Sequence, residues 1–404
     1  MDAAERIRFH ALTFVEEGDE IVIGRPEIDS FAVFPADAAA VVRHLQNGES
    51  IPRVGDWYLE TYGERADIED LVETLRDLEF LRDPADPEPA EGDEPPPATV
   101  VRGHRLGRLA FSAPAWVLYT LVVAVAGWIA ARTPGLHPTP SAVFFSSSLV
   151  VIELTIFAGQ LVGVAWHESF HVLAGRRLNL PSRLSIGRRL VFVVFETTLA
   201  GLMGVPRARR ILPFCAGLVA DALYFAALIG VGEADRLAHA GVTDIGRIAC
   251  ALAYMTLLRM LWQVMVFMET DLYHVVTVLL RCPDLHALTR AYLRNTLWRR
   301  LGRPERATDE SGWTAHDRAM ARRYAPFVVL GATLMIAVVL KGIAPVIAGF
   351  AVRLAHGISA GALDDPHFWD SAVAATAILS QFGLLTALAV RDRRRRRAAA
   401  VPAS

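Results

Sequence analysis

Lysine is almost missing from this 404-residue chain: Lys341 is the only one, and nearly all the positive charge is arginine. That reads as a coding bias, and no mechanism is drawn from it. Cysteine is scarce as well. Cys215, Cys250 and Cys282 are dispersed, with no CxxC pair and no even framework, which excludes a disulfide scaffold and fits reduced or buried thiols. The first twenty residues lack an apolar run and carry acids throughout, unlike a secretory signal, so the N-terminal part is expected on the cytoplasmic side. No internal repeat is found.

Apolar residues, by contrast, are abundant. They make up 53% of the chain, give it a mean hydropathy of +0.33 and gather into long runs, the pattern of a membrane protein. The net charge of -2 conceals two unlike parts. Residues 1–100 hold 25 acids against 8 bases, and the remainder holds 18 acids against 33 bases.

Residues 1–82 read as a small α+β domain. Residues 21–23 and 31–34 form two short strands around a Gly24/Pro26 turn. Helices are expected over 36–46, 51–62 and 67–78, the last with Ile68, Leu71, Val72, Leu75 and Leu78 on one face. Phe80 and Leu81 add a final strand. This pattern resembles a winged-helix module, and in particular the PqqD-like precursor-peptide recognition domains. The resemblance implies a partner: the leader of a ribosomally made precursor peptide. Residues 83–100, rich in proline and acids, are an extended linker.

Six spans are expected in residues 101–397, near 113–131, 143–170, 211–231, 246–268, 325–348 and 371–390, each with about the 20 apolar residues that cross a ~30 Å hydrocarbon core. The fold class is therefore mainly α: a polytopic helical membrane protein with a small N-terminal winged-helix-like α+β cytoplasmic domain. Arginine crowds the loops 172–210 and 269–324 and the tail at 393–397, while 132–142, 232–245 and 349–370 are poor in it. By the positive-inside rule both termini lie in the cytoplasm and the chain sits in the cell membrane. The arginines 393–397 suit anionic lipid headgroups, and no aromatics interleave them, so no nucleic acid is expected.

The chemistry gathers at His167-Glu168-Ser169-Phe170-His171, an H-E-x-x-H motif. On a helix, residues i and i+4 share a face, so both imidazoles reach one Zn²⁺ at ~2.0–2.1 Å, and Glu168 is placed as the catalytic base toward water at the metal. An acid near the hydrocarbon layer costs about 2.5–3.5 kcal/mol, so one that persists there has a partner or a task. Zinc needs a further protein ligand. Asp271, at the end of the fourth span, lies at the same membrane depth as the motif and is favoured, with Glu269 and His274 as competitors. His274 is alternatively a residue that orients Asp271.

Residues 143–280 resemble the three-helix core of site-2-protease-type intramembrane metalloproteases. Those pair an HExxH helix with a later Asp, often in an L-D-G stretch, and often carry G-P-x-x-N between. Thr270-Asp271-Leu272-Tyr273 holds the Asp without its Gly, and Gly217-Leu218-Val219-Ala220-Asp221 stands where G-P-x-x-N falls, with Leu for Pro and Asp for Asn. The resemblance implies a zinc-dependent endopeptidase domain over 101–397. Asp221 either bonds a substrate backbone or pairs with an intramembrane base. Glu153, fourteen residues before His167, either lines a polar path to the metal or is an acid near the outer interface or paired with another helix. Glu196, in an apolar stretch between the second and third spans, belongs to a re-entrant strand that could pair with an extended substrate, or to a surface segment.

Three functions stay open on these residues. One is hydrolysis of a peptide bond in a membrane-associated substrate such as a precursor peptide. The second is regulated cleavage of a signalling protein. The third is a non-proteolytic transport or immunity component with a structural metal site.

Overall fold

The computed structural model describes residues 7–18, 20–83, 101–189, 192–282, 284–359 and 366–399; apart from residue 83, the expected linker lies outside them. The chain is mainly helical and divides into two compact units. One comprises residues up to 108 with 173–183 and 198–212, the other 109–172, 184–197 and 213 onward.

In the first unit, β1 (Thr13–Glu17) pairs antiparallel with β2 (Glu20–Arg25), and β2 with β3 (Ser30–Pro35). Helices α1 (Ala36–Gln46), α2 (Ile51–Tyr62) and α3 (Ile68–Asp77) follow, within a residue of expectation. Pro52 opens α2, and Gly63, with φ of 78°, ends it. Asp67 caps α3 by accepting from the Asp70 N–H at 3.0 Å. Ile21, Ile23 and Phe34 pack against Ala39 and Val42 of α1 and Leu75 of α3. A second cluster joins Val41 and Leu45 to Val54, Tyr58, Ile68 and Val72.

Two expectations need correction. Strand β1 was not anticipated: its half-buried residues gain their order from the register with β2, not from a local pattern. Phe80 and Leu81 make no strand, only a single bridge from Leu81 to Phe9. The unit also reaches past residue 82. The 3₁₀ turn Leu202–Gly204 lies against β1 and β2, which explains why Val22 is buried as fully as Ile21 and Ile23. Glu17, its side chain 3% exposed, is held by Arg207 Nη2 and Arg210 Nη2, each at 2.6 Å. Arg210 also donates to the carbonyls of Val205 and Met203 at 2.6 Å. Two arginines that mark topology in the sequence thus also neutralise a buried acid.

Beyond the first unit's strands and helices the chain runs through α4 (His104–Ala110), α5 (Ala113–Arg132), α6 (Leu149–Arg177), the paired strands β4 (Ser182–Arg189) and β5 (Phe192–Leu199), α7 (Arg207–His239), α8 (Asp244–Gln263), α9 (Asp271–Leu280), α10 (Leu285–Arg300), α11 (Ala315–Val338), α12 (Ala344–Ser359) and α13 (Pro366–Ala399). A π turn joins α11 to α12. Five helices among the described residues are long and apolar enough to cross a membrane: α5, α6, α7, α8 and the continuous Ala315–Ser359. The expected sixth segment, 371–390, falls in α13, some of whose side chains lie outside the described residues. Small residues let helices approach closely: Ala126 and Ala130 of α5 meet Phe225, Ala226 and Ile229 of α7 and Ala253 of α8. Asp370 caps α6, accepting from the Leu149 N–H at 2.7 Å and from the Ser148 hydroxyl.

In the first unit, the Tyr58 hydroxyl donates to Asp37 Oδ2 at 2.6 Å. That bond holds the Asp37 carboxyl below the usual range and pushes the Tyr58 phenol up to about 12. Tyr58→Phe is expected to destabilise this unit at neutral pH. A depressed carboxyl contributes stability above its unfolded pKa and loses it as pH falls through the folded one, so the gap between the two proteins should close below pH ~4. Hydrogen exchange of the β2 amides in the full chain measures both effects.

Candidate metal centre

Because α6 is continuous, His167 and His171 project from one face with Glu168 beside them. All three are buried, at 7–9% exposure. The third candidate ligand, Asp271, arrives on a broken helix. α8 ends at Gln263, a 3₁₀ turn covers Val266–Met268, Glu269 takes a left-handed φ of 55°, and Asp271 is the first residue of α9. The expected unbroken span over 246–268, with Asp271 on its last turn, is therefore corrected. Side chains hold the break together. The Thr270 hydroxyl donates to the Gln263 carbonyl at 2.8 Å. The Gln263 amide donates to Asp271 Oδ2 at 3.1 Å and accepts from the Asp271 N–H at 3.2 Å.

Three atoms converge. His167 Nε2 lies 3.2 Å from Asp271 Oδ2, His171 Nε2 lies 3.4 Å from the same oxygen, and the two Nε2 atoms are 3.1 Å apart. Ligands of a tetrahedral ion with bonds of ~2.0–2.1 Å stand roughly 3.3–3.4 Å from one another, so the triangle has the size of one shared coordination shell. Among the described residues, these three are the group that could hold a metal ion. Neither competitor joins them: the His274 ring stacks on Phe214 at 5.2 Å, and Glu269 sits in the turn. Glu153 lies on α6 about 21 Å from His167 at 1.5 Å per residue, beyond reach of the triangle.

The supporting contacts explain why the rings point inward. His171 Nδ1–H donates to the Pro213 carbonyl at 2.8 Å, which turns its Nε2 lone pair to the triangle. Gly217 of α7 faces both rings. A Cβ there would stand 2.3 Å from His167 Nε2 and 2.5 Å from His171 Nε2, so only glycine leaves room. Asp221, 0% exposed, takes Arg259 Nε at 3.1 Å and Nη2 at 2.7 Å on Oδ1, and Arg259 Nη1 donates to Gln160 Oε1 at 2.8 Å. Of the two roles open for Asp221, pairing with a base is the one seen here, the base being Arg259. Its other oxygen lies 3.2 Å from His167 Nδ1. Glu168 Oε2 accepts from the Thr197 hydroxyl at 2.6 Å, at the end of β5. The expected strand near Glu196 is therefore present as β4–β5 and reaches the motif through Thr197, while the Glu196 side chain lies outside the described residues.

Sequence reasoning passed over Gln263, Thr197 and the ring-facing role of Gly217, and gave Arg259 no role at the site. The available signal was the i,i+4 pair Arg259 and Gln263 in an apolar helix, a polar stripe that needs partners.

No protein-family model, curated protein or solved structure matches this chain.

Gly217→Ala is expected to displace both rings and weaken divalent-ion binding on the order of 10–100-fold, the loss that misplaced ligands bring. Elemental analysis of the purified chain after dialysis against a chelator checks it, with helix content unchanged by circular dichroism.

Proposed function

We propose that this chain is a membrane zinc metalloendopeptidase of the site-2-protease type, hydrolysing a peptide bond in a membrane-associated substrate. The observation that carries the reading is the convergence of His167, His171 and Asp271 with Glu168 alongside. Two imidazoles and one carboxylate suit zinc, and three described ligands leave a fourth position for reactants, whereas a structural site is closed by four protein ligands. That arrangement supports hydrolysis over a structural metal in a transport or immunity component.

A zinc ion in this shell supplies Lewis acidity, lowering the pKa of a water and polarising a carbonyl. The chain does the rest. Glu168 takes a proton from the attacking water and delivers it to the leaving amine, so water is added across the C–N bond. The Thr197 hydroxyl fixes one oxygen of Glu168 and leaves the other to act. The burial of the motif strengthens each electrostatic contact.

The five apolar helices, with α13 as a sixth, cross the cell membrane in this reading, and the arginine distribution puts both termini in the cytoplasm. The acidic N-terminal unit, read as winged-helix-like and PqqD-like, holds substrate nearby and raises its effective concentration. A precursor peptide with a leader is the substrate class that fits a recognition module fused to a protease.

Glu168→Gln is expected to lower cleavage of a membrane-associated precursor peptide on the order of 10²–10⁴-fold while keeping the bound ion. Mass spectrometry of the peptide and metal analysis of the protein measure the two separately. Equal cleavage by both proteins would end the protease reading.

A further inference from the structure

α8 contributes no atom to the triangle, yet two of its side chains hold residues at its edge. Gln263 binds Asp271, and one turn earlier Arg259 grips Asp221, whose free oxygen faces His167. Two buried atoms in this arrangement have no hydrogen-bond partner among the described residues: His167 Nδ1 and Asp221 Oδ2. They lie 3.2 Å apart, each the other's polar neighbour. Leaving two buried polar atoms unpaired is costly, and a small turn of the ring would pair them. Once Nε2 is committed to a cation, Nδ1 must carry the hydrogen, and Asp221 Oδ2 is the acceptor facing it.

We infer that Arg259 and Asp221 form a positioning relay for His167, Arg259 fixing the Asp221 carboxylate and the carboxylate fixing the imidazole as a metal ligand; the inference rests on the metal-centre reading above. The two ligand rings are then held unequally. His171 donates to a neutral carbonyl, whereas His167 faces a buried carboxylate. Charge balance fits the same assignment. Glu168, Asp221 and Asp271 are three potential negative charges, and Arg259 is the positive charge paired with one of them, Asp221. Ionised, these four groups leave a deficit that a divalent cation cancels, and a low-dielectric interior favours such neutrality. Removing Arg259 alone would leave Asp221 both charged and unmatched.

The test is cobalt titration of the full chain in detergent, with the d–d absorption as a second signal. Wild type and His167→Ala establish whether the centre binds metal. Asp221→Asn with Arg259→Gln replaces the ion pair by a neutral amide pair, so neither charge is stranded. Arg259→Lys keeps the charge and loses the two-pronged grip. The expected result is binding by wild type, none by His167→Ala, a 10–100-fold weaker affinity with a shifted absorption in the paired variant, and a partial loss in Arg259→Lys. Wild-type affinity and spectrum in a folded paired variant would overturn the relay and leave the metal centre standing. If the paired variant does not fold, unchanged affinity in Arg259→Lys overturns the relay instead. No cobalt bound by wild type would remove the metal centre, and the relay with it.

Discussion

Charge buried among apolar helices must be matched, and in this chain the matching is concentrated where α6, α7, α8 and α9 meet. Asp221 is fully buried and tolerable only because Arg259 grips it from the next helix. Asp271 is bound from three sides, by two imidazoles and an amide. An isolated buried acid costs several kcal/mol, so these contacts are what allow the cluster to exist at all. The rest of the second unit serves that constraint. Alanines bring α5, α7 and α8 close, and Gly217 lets two imidazoles occupy space that any side chain would fill.

The first unit meets the same constraint differently. Its sheet is too small to bury a core alone, and one face of β2 is covered by α1 and α3. The other is covered by a turn from residue 202 onward, far along the chain, and the seam carries a buried acid between two arginines. The arginines near residue 207 thus belong to an arginine-rich loop in the sequence and neutralise Glu17 in the folded chain.

What could be read from the sequence was local. α3 follows from 3.6-residue periodicity and α1 from the stop at Asn47 and Gly48, and all three helices lie within a residue of expectation. His167 and His171 are four apart on one helix, so their shared face needs no tertiary information. Asp271 was favoured over its neighbours by depth and resemblance, and it is the residue found in the triangle. The rest was non-local. β1 owes its order to pairing with β2, and the pairing of Asp221 with Arg259 spans 38 residues, which no spacing rule reaches. The break after Gln263 has no proline or glycine to announce it, because Glu269, a non-glycine residue, takes the left-handed conformation.

That break decides whether the site can exist. On an unbroken helix, Asp271 would lie eight residues beyond Gln263, about 12 Å further along the axis. Instead the Gln263 amide touches the Asp271 carboxylate at 3.1 Å. The turn through 264–270 thus folds the chain back so that one residue of α8 steadies the ligand carried by α9. The left-handed Glu269 costs about 1–2 kcal/mol, which the three hydrogen bonds among Gln263, Thr270 and Asp271 offset. A second consequence favours the break. At the first position of α9, Asp271 sits where a helix N-terminus stabilises negative charge, whereas the last turn of a continued α8 would have opposed it. The strained turn is therefore what delivers a charged carboxylate to the imidazoles.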